Sequence, residues 1–270
     1  MNALFSKAFR DYRRTLVWIA IGIGAYGVLT LALFPAVVAQ QEELTKLLDN
    51  MPQQFVSMFY QGDISEFDFT DPAIFYNSRY MVWVLLIVGG MLTSHVLHTI
   101  IGAERDHTLD LALSLPVTRR QFLSARIMNA AAVILIILAV SFVVFAIGGQ
   151  VVSEFKINLG DLALGTFSGF FPLMAQVSIT FALASIARST SGWAGPVAFG
   201  YFFGSYLLMA FAQTIDVIDT ISTLFLFKYY NASDIINNGI DITNLLVLTA
   251  VIMVFTAIAF WAFERKELGV

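Results

Sequence analysis

Long apolar runs alternate with short polar interludes along the whole chain. A helix needs about 20 predominantly apolar residues to cross the hydrocarbon core of a bilayer. Six stretches meet that length: 16–38, 80–102, 127–148, 161–186, 193–212 and 242–263. They predict an all-α integral membrane protein with six transmembrane helices in a single domain, 1–270. Ahead of the first run, Leu4, Phe5, Ala8, Phe9 and Tyr12 recur at helical spacing, with Lys7, Arg10, Asp11 and Arg14 on the opposite side. This pattern predicts an interfacial amphipathic helix over 1–15, with Phe5 and Phe9 toward the lipid tails and the basic groups Lys7, Arg10 and Arg14 toward anionic headgroups. The run 16–39 ends in AVVA, which imitates a signal-cleavage site. Its length exceeds the 7–15 apolar residues usual in a signal peptide, so an uncleaved anchor is expected.

Two polar, acidic interludes, 39–79 and 213–241, form the outer segments. In the first, Leu44, Leu47, Leu48, Met51 and Phe55 make an apolar edge that predicts folding back along the membrane surface. The second contains TISTLFLFKYY, too short to span, and reads as a re-entrant or interfacial piece.

Composition and charge add compartment and orientation. Hydrophobic residues are 58% of the chain and charged residues 13%, against about 45–50% and about 25% in soluble domains. There is no cysteine, which excludes a disulfide framework and thiolate chemistry. Of the 15 Lys and Arg, eleven fall at one side: Lys7, Arg10, Arg13, Arg14, Arg105, Arg119, Arg120, Arg126, Arg188, Arg265 and Lys266. By the positive-inside rule both termini are cytoplasmic, consistent with an even number of spans in a multi-pass protein of the cell membrane.

The longest charged interlude on that side is IGAERDHTLDLALSLPVTRRQFLSAR, 101–126. Leu109 and Leu113, with Leu115 one step off their stripe, need cover, while Glu104, Arg105, Asp106 and Asp110 stay polar. Pro116 stops the pattern. The stretch 103–116 therefore reads as a short amphipathic helix, either a lid on the interface or a docking surface for a soluble partner. No phosphate-binding loop (GxxxxGK followed by Ser or Thr), HExxH or GxSxG occurs, so the chain carries no signature of an ATPase, a zinc protease or a serine hydrolase. His95 and His98 share a helix face, but His107 lies outside the span and no metal site is expected. The pair suits polar packing or the lining of a substrate route. Gln176, Ser178 and Thr180, in the least greasy span, suit either helix packing or a translocation surface, with Pro172 allowing a bend. Gly165/Gly169 and Gly200/Gly204 permit close crossings without naming an oligomer interface. No predicted span holds a charged residue at its centre, which disfavours ion-coupled transport.

The segment 102–122, GAERDHTLDLALSLPVTRRQF, resembles the cytoplasmic loop of the permease subunits of ABC-2 type transporters, the type V exporter architecture. The shared features are the acidic Glu104, the step Asp106-His107-Thr108, the Leu-rich turn Leu109–Leu115, and an ending built from Pro116, Thr118, Arg119 and Arg120. The family often has Gly before the Thr, where this chain has His107. The N-terminal amphipathic stretch, the six-span layout and the polar segment between the last two spans also match. The resemblance implies that 103–116 is a coupling helix for a separate ABC ATP-binding subunit, present in two copies. Glu104, Arg105 and Thr108 would make polar contacts, Leu109 and Leu113 would anchor, and Pro116 would end the helix; Arg13 and Arg14 would brace the junction. It further implies a second permease, the same chain or a paralogue, completing a dimeric path for an amphipathic or hydrophobic substrate. His95, His98, Gln176, Ser178 and Thr180 are the candidates to line that path. ATP and Mg would be bound by the partner and no cofactor by this chain; the remaining contacts are membrane lipids, with no nucleic acid. The reading of a different class is a stand-alone six-span channel or membrane protein not powered by ATP, whose loop leucines insert into lipid.

Overall fold

Inside hydrocarbon each backbone N–H and C=O must find its partner within the protein, so apolar runs of this length fold as helices. The computed structural model describes residues 2–43, 46, 68, 70–106, 118–188, 190–212 and 215–266, apart from the side chains of 2–5, 7, 8, 11, 210, 216 and 219. Among these residues all regular structure is helical: α1 (Asn2–Ala39), α2 (Pro72–Arg105), α3 (Arg119–Val151), α4 (Leu159–Ser168), α5 (Phe170–Ile186), α6 (Ala194–Ala212), α7 (Asp216–Ile221), α8 (Ala232–Asn238) and α9 (Ile242–Arg265). Five stretches, Tyr12–Ala39, Pro72–Arg105, Arg119–Val151, Leu159–Ile186 and Ile242–Arg265, are long and apolar enough to cross a membrane, and Ala194–Met209 is a shorter apolar helix.

Several boundaries differ from the sequence expectation. The amphipathic stretch 1–15 is not a separate helix but the opening turns of α1, whose 38 residues extend about 57 Å at 1.5 Å per residue. No Gly or Pro falls between Asn2 and Ile21 to break it. Helix α2 begins at Pro72 rather than 80, because Asp71 caps it: its carboxylate accepts from the amides of Ala73 (2.7 Å) and Ile74 (3.0 Å), and Pro72 occupies the first turn. Aspartate at the cap and proline just inside satisfy or remove amides that have no helical partner. The fourth predicted span is two helices, broken at Gly169, because the Pro172 ring cannot coexist with an unbroken turn before it. Of the predicted outer segment 213–241, the described residues 215–241 contain α7, two 3₁₀ turns and α8. Their Phe225, Leu226 and Phe227 are buried against α5, α6 and α9, so this apolar piece covers the bundle.

Helix α5 is the hub. The best apolar window of Leu159–Ile186 is 78% buried, against 28% for Tyr12–Ala39 and 17% for Ile242–Arg265. Helices α2, α3, α6 and α9 surround α5, while α1 lies along α3. The exposed apolar side chains, among them Trp18 and Leu33 on α1, Leu135 and Val143 on α3, and Leu246 and Met253 on α9, form the surface that faces lipid.

At the bundle end opposite the termini, hydroxyls and aromatic rings join the helices. The Tyr76 and Thr166 hydroxyls share a 2.7 Å bond, Tyr80 donates to Ser141 Oγ (2.9 Å), and Tyr26 donates to the Arg79 carbonyl. Rings of Phe34, Phe75, Phe145 and Phe155 pack around Tyr76 and Tyr80. A π-helical turn, Asn77–Met81, turns Asn77 inward, where its Oδ1 accepts from the Ala232 amide (3.1 Å) and fixes α8. Tyr230 donates to the Gly165 carbonyl (2.8 Å), and burial pushes its phenol well up, so it remains a donor at any physiological pH.

Close approach of α2 and α6 depends on Gly89. A Cβ there would overlap Phe202 and stand 2.6 Å from its Cε1, whereas one at Gly200 meets nothing within 4 Å. Gly89→Ala is expected to destabilise the bundle by about 1–3 kcal/mol through overpacking, read as a lower melting temperature of the purified chain. Gly200→Ala should leave the temperature unchanged or raise it slightly. Equal effects of the two substitutions would contradict this packing.

Candidate functional site

Three cationic side chains organise the end of the bundle that carries the C-terminus. Thr118 starts α3 with a capping box: its hydroxyl accepts from the Gln121 amide (3.2 Å), and the Gln121 side chain accepts from the Thr118 amide (3.1 Å). Arg119 and Arg120 then occupy the first turn of α3, where the helix dipole disfavours positive charge. Both lean out to the end of α9. Arg119 Nη1 donates to the carbonyls of Phe263 (3.2 Å), Glu264 (2.9 Å) and Lys266 (2.7 Å). These are carbonyls that a helix C-terminus leaves without partners, and a cation at that end also complements the dipole. Arg120 makes a two-pronged contact with the Glu264 carboxylate. Below them Phe122 stacks on Phe263, ring centroids 5.9 Å apart.

Lys266, the residue that ends α9, turns into the protein. Its Nζ lies 2.8 Å from Glu104 Oε2, with the two side chains only 6% and 10% exposed. It also donates to the carbonyls of Ala184 (2.9 Å) and Ala187 (2.8 Å) at the end of α5. Two of its donors thus meet backbone carbonyls, while the Glu104 carboxylate supplies the opposite charge. The ends of α2, α5 and α9 therefore meet at one nitrogen, and Arg119 adds the start of α3. Glu104 and Arg119 are also the flanks of the 107–117 segment, so both flanks are anchored in one ion-paired knot.

The predicted site residues distribute unevenly around this knot. Glu104, expected on the basis of the resemblance to face a partner, is turned inward to Lys266. Arg105 is exposed. Thr108, Leu109, Leu113 and Pro116 lie outside the described residues, as does the Phe5 side chain. Phe9 packs on the core, whereas Arg13 and Arg14 are exposed. His95 lies against the Tyr12 ring, centroids 4.1 Å apart, and His98 is exposed. Gln176, Ser178 and Thr180 are almost wholly buried within the chain. Gln176 Nε2 donates to Thr93 Oγ1 (3.0 Å) and the Ala198 carbonyl (3.1 Å), pinning α5 to α2 and α6, and Thr256 donates to Ser178 (3.2 Å) across to α9. In this conformation Gln176 and Ser178 hold helices together, while Thr180 donates to the Gln176 carbonyl (2.8 Å) within α5.

Sequence reasoning missed Lys266, which had entered only as an orienting charge. The available signal was the pair Arg119-Arg120 at a helix start, an unfavourable position unless another group uses the charges. Removing the clamp should fray the end of α9. Arg119→Ala is expected to speed trypsin cleavage after Arg265 and Lys266 about tenfold, the effect of about 1.4 kcal/mol of local stability, with Arg13→Ala unchanged. Mass analysis of the clipped chain gives the rate; no acceleration would contradict the clamp.

Comparison with known proteins agrees with this architecture. The model of the ABC-2 family transporter proteins matches residues 3–268. No curated protein matches the chain. The family match takes in α1, the knot and α9 as well as the loop, and so the chain belongs to the ABC-2 family of transporter proteins, as a multi-pass membrane permease that works with an ABC ATP-binding partner.

Proposed function

We propose that the chain is the permease subunit of an ATP-driven exporter, with the knot end in the cytoplasm. The 103–116 stretch is the lever against which the ATP-binding subunit works, in two copies per complex. ATP and Mg are bound there, and phosphoryl transfer is the partner's chemistry. The observation that carries this reading is the anchoring of both flanks of 107–117 in the same buried knot. A lever needs fixed ends, and Glu104, Arg119, Arg120 and Lys266 supply them. An interfacial loop held only by lipid would have no use for a buried ion pair, which costs desolvation that only good geometry offsets.

A second permease, the same chain or a paralogue, completes the path by covering the face between α2 and α6. Supporting this is an apolar groove of about 800 Å³ there, walled by Trp83, Ile87, Phe199, Phe203 and Leu207. Beside it Gly200 and Gly204 have nothing against them within 4 Å. A path with such walls suits an amphipathic or hydrophobic cargo, and the described spans offer no charged residue at mid-membrane for ion coupling.

The test is co-purification of an ABC ATP-binding protein with the tagged chain made together with its genomic neighbours, in native form and as the Leu109→Asp/Leu113→Asp variant. The native chain should retain the partner, and the variant should lose it while still inserting and eluting as a single species. A native chain that retains no ATP-binding protein would overturn the exporter reading in favour of a stand-alone membrane protein.

A further inference from the structure

We infer that Lys266 is a positioning residue for energy coupling. Through the triple contact of its ammonium, a displacement imposed on the 103–116 stretch moves the ends of α2, α5 and α9 as one body. This rests on the exporter reading and adds the internal route by which the push reaches the hub of the bundle.

The chain geometry alone would deliver such a push only to α2 and α3, because those are the helices covalently continuous with the loop. Helix α5 has no covalent link to it, yet α5 is the buried centre that α2, α3, α6 and α9 surround. Packing and the Gln176 bond already join α5 to α2 at mid-bundle, and Lys266 adds a charged link at the driven end itself. Glu104 is the last acidic residue of α2, three positions before the segment 107–117, and its carboxylate meets Nζ at 2.8 Å. The other two acceptors, Ala184 O and Ala187 O, are terminal carbonyls of α5 at 2.9 and 2.8 Å. One nitrogen thus joins the driven helix to the hub, and the Arg119 bond to the Lys266 carbonyl (2.7 Å) joins the driven α3 to the same residue. Separating α2 from α5 at this end would strand a carboxylate and an ammonium that are both almost wholly buried, and uncompensated burial of charge is among the most unfavourable events in a protein interior. The connection therefore behaves as a strut over the displacements of about 1–2 Å typical of helix shifts.

Geometry also makes the role directional. Exchange of the two charges, Glu104→Lys with Lys266→Glu, would restore opposite signs but turn a carboxylate toward two carbonyl oxygens. The exchange should fail where Lys266→Arg, which keeps the donors, succeeds at least in part.

The experiment uses the complex with its ATP-binding partner in nanodiscs. The chain has no cysteine, so Met128→Cys on α3 and Ile186→Cys on α5, both exposed at their positions, accept spin labels without background. Native lock, the neutral pair Glu104→Gln/Lys266→Met, and Lys266→Arg are compared with and without ATP and vanadate, alongside the rate of ATP hydrolysis. The neutral pair leaves no charge stranded and is the variant chosen to fold; a single symmetric elution peak is its control. With the native lock the 128–186 distance should not change with nucleotide. In the neutral pair it should shift by about 2 Å or more on trapping, and Lys266→Arg should bring it back, with partner retention and hydrolysis scored separately because Glu104 belongs to the docking stretch. An unchanged distance in a hydrolysing neutral pair, or a nucleotide-dependent distance in the native chain, would overturn the inference and leave the docking reading intact. Loss of the partner from the native chain would overturn both.

Discussion

A buried ammonium has to be compensated by an opposite charge and by acceptors, and in this protein that requirement brings four helix ends together. Lys266 reaches Glu104 and the carbonyls of Ala184 and Ala187, and its own carbonyl accepts from Arg119. The hydrophobic interior cannot do this work. Between helices that could equally well contact lipid, apolar burial gives little preference for one register over another. Directional contacts set the register, and the strongest directional contacts of the described residues are concentrated where charge can be both buried and compensated.

The structure divides its polar chemistry by depth. At the end opposite the termini, neutral hydroxyls such as Tyr76, Thr166, Tyr80 and Ser141 bond to one another inside an aromatic cluster. At mid-bundle the Gln176 amide pins α5 to α2 and α6. The buried ion pair Lys266–Glu104 lies at the C-terminal end, whereas Arg79 at the opposite end is only half-buried. Neutral groups tolerate low dielectric when hydrogen-bonded, while ions need a counter-ion and further donors or acceptors. The consequence is an ion-paired end next to the segment proposed to meet the ATP-binding subunit, and an apolar groove between α2 and α6 that has no covering element of its own among the described residues. The proposed docking and pairing rest on these two features.

Much of this was legible in sequence, for identifiable reasons. Span number and class follow from run length, which the bilayer dictates, and the segment around Glu104 pointed to the family from its residues alone. The start of α2 was hidden because hydropathy weighs Arg79 and Asn77 as polar, whereas Asp71 and Pro72 begin the helix by satisfying its amides. The break inside 161–186 was foreshadowed by Pro172, but its location at Gly169 depends on backbone geometry. The site was half visible. Glu104 was singled out, yet its partner lies 162 positions away in sequence (266 minus 104) at the end of the last helix, and no local pattern links them. Gln176, Ser178 and Thr180 were noted as unusual in a span, and their burial against Thr93, Ala198 and Thr256 shows that polarity in a membrane helix marks packing as readily as passage.

The most direct measurement of the central idea, that the knot holds a docking segment for the ATP-binding subunit, is backbone hydrogen exchange of the chain in nanodiscs with and without that subunit. Protection gained in 105–117, with 118–122 and 262–266 already slow in both states, is the expected result. Protection gained elsewhere with 105–117 unchanged, or fast exchange at 118–122 and 262–266 in the isolated chain, would contradict it.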